Sequence, residues 1–524
     1  MVWCRSPKGQ RPRGPSRWRI WIIGTIFISC CGLLTVVLWK AIGKSAPSSK
    51  TNQSFTLVPA KDGPARQQQV ADIIAGLRVM NYYPTANAWT NMWTNWQPVV
   101  LNHDLARIHA LGANAVRVVV FPSAFGWPDV SPTMAARFAK MLTIASSNSL
   151  GVQLTLFDLW DSYNEIASSQ MWLRSLLHPY AADPEIRLVE LKNEVDPSNA
   201  KQISWLRALI PTLRSILPRT PITVSVSGTE GPSGFTQLRK ELYGTPLDVA
   251  DLHFYGHEGS AYAWMLAAKR AAGSLPFFVG EIGYPAEDGT GGLKAAELYQ
   301  AHWFDVVFAA AHAAGVAIPA PWTLNDFKPG AIPGQASPVQ YDFGLYTTTG
   351  QPLPAASVVK NAYKGLHSNT SNLSFDFAGN NRLPAVWSPY LPSQGVLAYD
   401  PSVGHLRPGS VSLSKTRLSS LGMPSFYLVP VNSVIPGQLW NVNVWAKGID
   451  VNGTAEVALT WFDSSGTFLR NSNSNALPHG NPDWTDLSVR ARVPSDATSV
   501  QIHLKSFRVS GTVWFDDVQI TVSP

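Results

Sequence analysis

Two glutamates end short apolar runs of this chain. Glu194 closes Leu-Val-Glu-Leu-Lys-Asn-Glu, and Glu281 lies in Phe-Phe-Val-Gly-Glu-Ile-Gly. Two carboxyls can divide the work of a displacement: one stays ionised and attacks, the other keeps a proton and hands it to the leaving group. The proton-keeping carboxyl needs burial or a neighbouring negative charge. The ionised one needs a cation, and Arg117, in the run Ala-Val-Arg-Val-Val-Val, is the candidate. Other apolar runs also end in polar or aromatic groups: Asp158, Trp160 and Asp161; His253 and Tyr255; Trp322, Asn325 and Asp326.

The elements that must position these groups alternate along the chain. Gly76 to Pro84, Asn114 to Pro122, Val152 to Trp160, Ile186 to Glu194, Ile222 to Ser227, Val249 to Tyr255, Pro276 to Gly283 and Val316 to Trp322 read as strands. Helical stretches separate them, among them Leu101 to Leu111, Met134 to Ser147, Ile203 to Leu217, Ala261 to Ala272 and Leu293 to Ala314. Strands that are continuously apolar belong to buried parallel sheets. Eight such units over residues 72–366 predict the α/β class and a (β/α)8 TIM barrel, with its site at the C-terminal strand ends. An open doubly wound sheet would want a Gly-rich phosphate loop after the first strand, and none is there. Strands four and seven lie on opposite sides of such a barrel, so Glu194 and Glu281 are expected to face each other. Carboxyls about 5–5.5 Å apart suit double displacement at a sugar, with one as nucleophile and one as acid/base. Glu190 shares the face of Lys192 and Glu194 by the period of two. A partner for it in Lys192 or Arg187 requires a bend in the strand, and its role stays open.

Asn193-Glu194 and Glu281, with Arg117, His253, Tyr255 and Trp322, resemble the clan A glycoside hydrolases, most of all the cellulase-like family 5, over residues 72–366. The resemblance implies Glu194 as acid/base and Glu281 as nucleophile. It implies that Asn193 binds the sugar 2-hydroxyl and that Tyr255 bonds the nucleophile. His253 and Arg117 would shape the charge network, and Trp322 would lie beneath the sugar. Asp158 and Trp160 join the substrate-binding set at the third strand end, where many family members carry a histidine. Val195 follows Glu194 where proline is common. The implied activity is retaining hydrolysis of a β-linked polysaccharide or oligosaccharide, cellulase- or mannanase-like, with no cofactor for catalysis. A transglycosylase using the same glutamates, or a non-catalytic glycan-binding surface protein, are the alternatives.

From residue 370 the helical period gives way to alternating segments, which predict an all-β jelly-roll or sandwich over residues 370–524. Asn372-Leu-Ser-Phe-Asp376, Trp387 and Gly511-Thr-Val-Trp-Phe-Asp-Asp517 resemble carbohydrate-binding modules of families 4 and 9. Such modules imply a structural Ca2+, for which Asp376 and Asp517 supply carboxylates. Trp440, Trp445, Trp461 and Trp484 are either core or glycan-stacking surface.

The net charge of +7 suggests nucleic acid until it is located: six basic and no acidic residues fall in the first nineteen positions. They precede the uncharged run Ile20 to Trp39, long enough to span a bilayer as a helix, with Trp18, Trp21 and Trp39 near its ends. The expectation is a cytoplasmic tail (1–19), a transmembrane anchor (20–39), a flexible stalk (40–71) and an extracytoplasmic catalytic domain, with a cleaved signal as the alternative. A nucleic-acid partner is not expected. All three cysteines lie in the N-terminal segment, so the rest of the chain carries no disulfide.

Overall fold

The computed structural model describes residues 63–524 except 246, 287–292, 335, 367, 369, 380–382 and 419–420. The barrel strands are β1 Val79–Asn81, β2 Ala115–Val120, β3 Gly151–Leu156, β4 Ile186–Glu190, β5 Ile222–Thr223, β6 Ser225–Val226, β7 Ala250–Phe254 and β8 Phe277–Ile282. All pair in parallel, β1 through β5 in one sheet and β6 through β8 in another; β5 and β6 are halves of one strand broken at Val224. The eighth expected strand is irregular, because Pro319 and Pro321 alternate through it and have no N–H to give. It closes the ring through Ala320, Pro321 and Trp322. Ala320 O accepts from Ile282 N (2.9 Å), Trp322 N donates to Ile282 O (2.7 Å), and Asn81 N donates to Pro321 O (3.2 Å).

Helices wrap the ring; Ala261–Ala272 and Leu293–Ala313 begin where the apolar period suggests, and the others begin earlier because their starts are set by proline and capping chemistry. Pro98–Ala110 and Pro132–Ser147 open on proline, and Ser131 Oγ accepts from Met134 N. Asn199 caps Ala200–Ile216, accepting from Lys201 N and Gln202 N.

The expected stalk boundary at residue 71 is corrected. Residues Gly63–Gly76 form a helix that plugs the bottom of the barrel. Its Val70, Ile73 and Ile74 pack with the inward-facing Val79, Ala115, Leu188, Val249, Phe278 and Ala320. Arg66 bonds Asp248 at 3.2 Å. The segment reads as linker in sequence because Arg-Gln-Gln-Gln obscures its short apolar face. The basic tail, the run Ile20 to Trp39 and the rest of the stalk lie outside the described residues. No helix among the described residues is long and apolar enough to cross a membrane.

Above the apolar floor the barrel interior is polar. Asn81, Arg117, Gln153, Glu190, Thr223 and Asp251 are each 1 % exposed or less. The cross-strand register Arg117–Gln153, Thr155–Glu190 and Glu190–Thr223 sets these side chains next to one another around the barrel interior.

The C-terminal domain is two five-stranded antiparallel sheets packed face to face. Its strands are β9 Ser388–Tyr390, β10 Val396–Asp400, β11 Ser410–Ser414, β12 Ser425–Leu428, β13 Leu439–Ile449, β14 Thr454–Phe462, β15 Phe468–Asn473, β16 Thr485–Arg492, β17 Ser499–Phe507 and β18 Thr512–Ser523. One sheet runs β10-β11-β18-β13-β16, the other β15-β14-β17-β12-β9. The alternation in β13 sends Trp440, Val442, Val444 and Ala446 inward. Trp440 and Trp461 are core; Trp445 and Trp484 are half-buried around His405, which stacks on Trp445 at 4.1 Å. The two edge strands of the second sheet are weak in sequence: β9 carries Pro389, and β15 is mostly polar. The sandwich meets the barrel at helix Leu293–Ala313, where His302 Nε2 bonds Val429 O at 3.0 Å.

Candidate active site

A register break between Leu252 and His253 marks a bulge in the pairing of β7 with β8. Gly280 is the extra residue, and its N–H donates to Asp251 Oδ1 at 2.9 Å. A side chain there is excluded, since a Cβ would stand 2.5 Å from that same oxygen. Bulges re-aim side chains, and this one sets Glu281 directly opposite His253. Across the mouth, Glu194 has left β4 and takes φ of +46°, a left-handed conformation unusual for a glutamate. Its N–H donates to Ser225 Oγ on β6 at 2.8 Å. The side chain of Glu194 is 38 % exposed and that of Glu281 only 7 %.

Arg117 is the hub. Its Nη1 donates to Glu281 Oε1 and to Asn81 Oδ1, the latter at 2.8 Å. Its Nε (2.9 Å) and Nη2 (2.7 Å) grip Glu190 Oε2, and Nη2 also reaches Asn193 Oδ1 at 2.7 Å. Tyr255 donates to Glu281 Oε2 at 2.6 Å. His253 Nδ1 lies 3.0 Å from Glu194 Oε1 and 3.4 Å from Glu281 Oε2. Burial pulls its proton affinity down, but the charge of Glu281 and the bond to Glu194 outweigh that and hold the imidazole at about 9. One atom each of Glu194, His253 and Glu281 lie within 4.8 Å of one another, the only such group of His, Cys, Asp and Glu among the described residues. His253 is hydrogen-bonded to Glu194 and ion-paired with Glu281, so the group reads as proton-sharing rather than as metal ligands.

The remaining expected residues surround this group. Asn193 donates to Asp158 Oδ1 at 3.3 Å. Asp158 sits between two left-handed residues, Phe157 (φ 50°) and Leu159 (φ 56°), and burial pushes its carboxyl up. Trp160 packs on Trp127 at 4.3 Å and on Phe157 at 5.9 Å. Trp322, 8 % exposed, is edge-on to Tyr83 and Trp89 at 6.0 and 5.9 Å. Asn325 is tied instead to Arg107 (3.0 Å) and Asp104 (3.2 Å). Glu190 needs neither Lys192 nor Arg187, because its partners are Arg117 and Thr155. The period of two does turn it inward; what the sequence leaves out is the reach of Arg117 across the barrel. Asp251 was also missed, as one acid in an apolar run. Asp376 and Asp517 are held by separate bases, Arg407 (3.1 Å) and His405 (2.9 Å), and belong to no three-ligand group among the described residues.

The hub makes a stability prediction. Arg117→Met strands the buried carboxylate of Glu190 without its cation and leaves Glu281 only His253. Breaking a buried pair on one side costs about 3–5 kcal/mol. The urea midpoint is expected to fall accordingly and to recover in part in the double variant Arg117→Met/Glu190→Gln. An unchanged midpoint in the single variant refutes the hub.

No family model and no curated protein matches the chain. Similar solved structures include the exo-β-1,4-mannosidase Op5Man5 from Opitutaceae bacterium strain TAV5, 19 % identical, covering 55 % of this chain and 59 % of that one, with a TM-score of 0.45. The chain thus spans well under two thirds of that mannosidase. A GH5_18 protein from Streptomyces cattleya in complex with Manβ1-4GlcNAc is 18 % identical, covering 55 % and 80 % of the two chains, with a TM-score of 0.46. A GH2 β-galacturonidase from Eisenbergiella tayi bound to galacturonate is 16 % identical, covering 55 % and 51 %, with a TM-score of 0.44.

Proposed function

We propose that this chain is a retaining β-glycosidase acting on a β-linked glycan, held at the outer face of a membrane by the run Ile20 to Trp39. One observation carries the catalytic reading: Glu194 and Glu281 meet across the mouth with atoms within 4.8 Å. That closeness is nearer to the roughly 5 Å of a nucleophile and acid/base pair than to the about 6.5–9.5 Å of an inverting pair, which supports the retaining reading.

In this reading Glu281 attacks the anomeric carbon while Glu194 gives its proton to the departing oxygen. The glycosyl–carboxylate ester that forms is opened by water, whose proton returns to Glu194. Arg117 and Tyr255 hold the charge of Glu281 between turnovers. Asn193 stands where a sugar hydroxyl would meet it, and Trp322 forms the floor beside Tyr83 and Trp89. The buried Glu281 and the more open Glu194 fit their roles: the nucleophile is fixed, and the acid must meet both leaving group and water.

A form that keeps the plug helix from Gly63 onward tests this. On β-1,4-glucan, β-1,3-glucan and β-mannan it is expected to release sugar from at least one, with the β-anomer seen first by NMR. First appearance of the α-anomer excludes retention, and no hydrolysis or transfer on any β-glycan excludes the function. Longer products in place of free sugar would mark a transglycosylase.

A further inference from the structure

The polar layer beneath the catalytic groups holds more hydrogen-bonding capacity than the protein satisfies. Gln153 Nε2 and Oε1, Glu190 Oε1, Asp251 Oδ2 and His253 Nε2 are all buried, and none has a protein partner. Their residues are fully buried, at 0 % exposure. Orphans of this kind are uncommon in folded proteins, and where donors and acceptors mix they are met by buried water. Here two are donors or can be (Gln153 Nε2, His253 Nε2) and three are acceptors, which suits water better than a metal ion.

The charges do not balance either. Glu190, Glu281 and Asp251 face Arg117 and His253, three carboxyls against two cations, with Glu194, Asp158 and Lys192 at the rim and Tyr255 above. Neither β3 nor β6 adds a charge: they contribute Gln153, Thr155 and Ser225. Asp251 is the member with no cation bonded to it. Burial and the charge of Glu190 hold its carboxyl up at about 7, against the pull of His253, Arg117 and the Gly280 N–H.

We propose that Asp251 is a positioning residue for the catalytic pair: its Oδ1 pins the bulge at Gly280 that aims Glu281, and its Oδ2, joined through buried water to Glu190 Oε1 and His253 Nε2, governs the charge that His253 shares with Glu194 and Glu281. The role rests on the glycosidase reading for its kinetic consequence, though not for its structural one. Asp251 touches no substrate; it acts through the bulge and through His253.

Asp251→Asn keeps the size and the Oδ1 acceptor and removes the ionisable group. Without that negative charge, both His253 and Glu194 hold their protons less tightly. The alkaline limb of the kcat/KM profile is therefore expected to move to lower pH, by on the order of one unit. A uniform loss at every pH, or an unmoved limb, overturns the proposal.

A second readout does not need activity. The Asp251 carboxyl ionises near 3.8 when unfolded and about 7 when folded, so the neutral form stabilises the fold and that contribution is lost as pH rises from about 4 through 7. The asparagine variant never meets that cost, so its Tm relative to the parent is expected to climb across this window. A constant difference overturns the proposal even if the protein has no glycosidase activity. An inactive protein with a climbing difference sinks the glycosidase reading and leaves the buried proton site standing. If the variant does not fold, Gln153→Met removes two partners of the water without touching a charge. It is expected to shift the same limb in the same direction, and an unmoved limb again overturns the proposal.

Discussion

Glu281→Gln is expected to abolish turnover of every β-glycoside, by about 10⁴-fold or more, while the protein stays folded. The two halves of that expectation have separate physical grounds. Activity falls because an amide cannot form the ester intermediate. Stability survives because the environment of Glu281 can accept an amide. Arg117 Nη1 donates to one oxygen and the Tyr255 hydroxyl to the other. In the variant the amide oxygen can stay on Arg117, which keeps its grip on Glu190. The amide N–H2 then faces Tyr255, whose hydroxyl can turn and accept. The net cost is about one hydrogen bond, on the order of 1–2 kcal/mol. Parallel measurements of kcat/KM on an aryl β-glycoside and of Tm check both halves. Residual activity within tenfold of the parent refutes Glu281 as nucleophile. A collapse of Tm alongside lost activity shows only that the residue holds the barrel together.

The contrast with Arg117 is instructive. Both residues are buried in the same network, but their neighbours are not equivalent. Removing Glu281 takes one charge from a cation that keeps another partner. Removing Arg117 takes the only guanidinium from two carboxylates at once, Glu190 and Glu281. The first change is therefore mainly catalytic and the second mainly structural, although their side chains are in direct contact.

Much of the barrel was legible because its strands are buried on both faces and so stand out as apolar runs. The pairing of Glu194 with Glu281 followed from strand order alone. Three things were not legible, each for a stated reason. The closing strand dissolves into alternating prolines, although its apolar composition reads as regular. The plug helix has only Val70, Ile73, Ile74 and the following Leu77 to show for itself, too few against its run of glutamines. Most of the polar layer is scattered one residue to a strand: Asn81, Gln153, Thr223 and Asp251 join Arg117 and Glu190, which alone stood out. Each looks in sequence like a single blemish in an apolar run, and only register brings them together. Asp251 illustrates the limit best. Its importance rests on Gly280, which in sequence is only a small residue beside Glu281 and in the fold is the bulge that the aspartate fixes.

Glu194→Ala is expected to divide substrates by their leaving groups, which a purely structural residue would not do. Its side chain is 38 % exposed, and the buried His253 that it bonds at 3.0 Å keeps Glu281 as a partner, so the change in stability should stay near about 1 kcal/mol. The backbone of residue 194 remains left-handed in the variant, anchored by its N–H on Ser225 Oγ. Without the proton donor, glycans with poor leaving groups should lose on the order of 10²–10⁴ in rate. An aryl glycoside with an acidic phenol needs little protonation to depart, so Glu281 can still form the ester. Water then attacks that ester slowly, because no base takes its proton. Azide needs no base. Added azide is expected to restore turnover and to yield the β-glycosyl azide, since two inversions at the anomeric carbon return the starting configuration. An α-glycosyl azide would show a single displacement and overturn the covalent route through Glu281. No rescue, with equal loss on good and poor leaving groups, would remove Glu194 from the acid/base role and turn attention to Asp158, the next carboxyl along the same rim, which lies 3.3 Å from the Asn193 amide nitrogen.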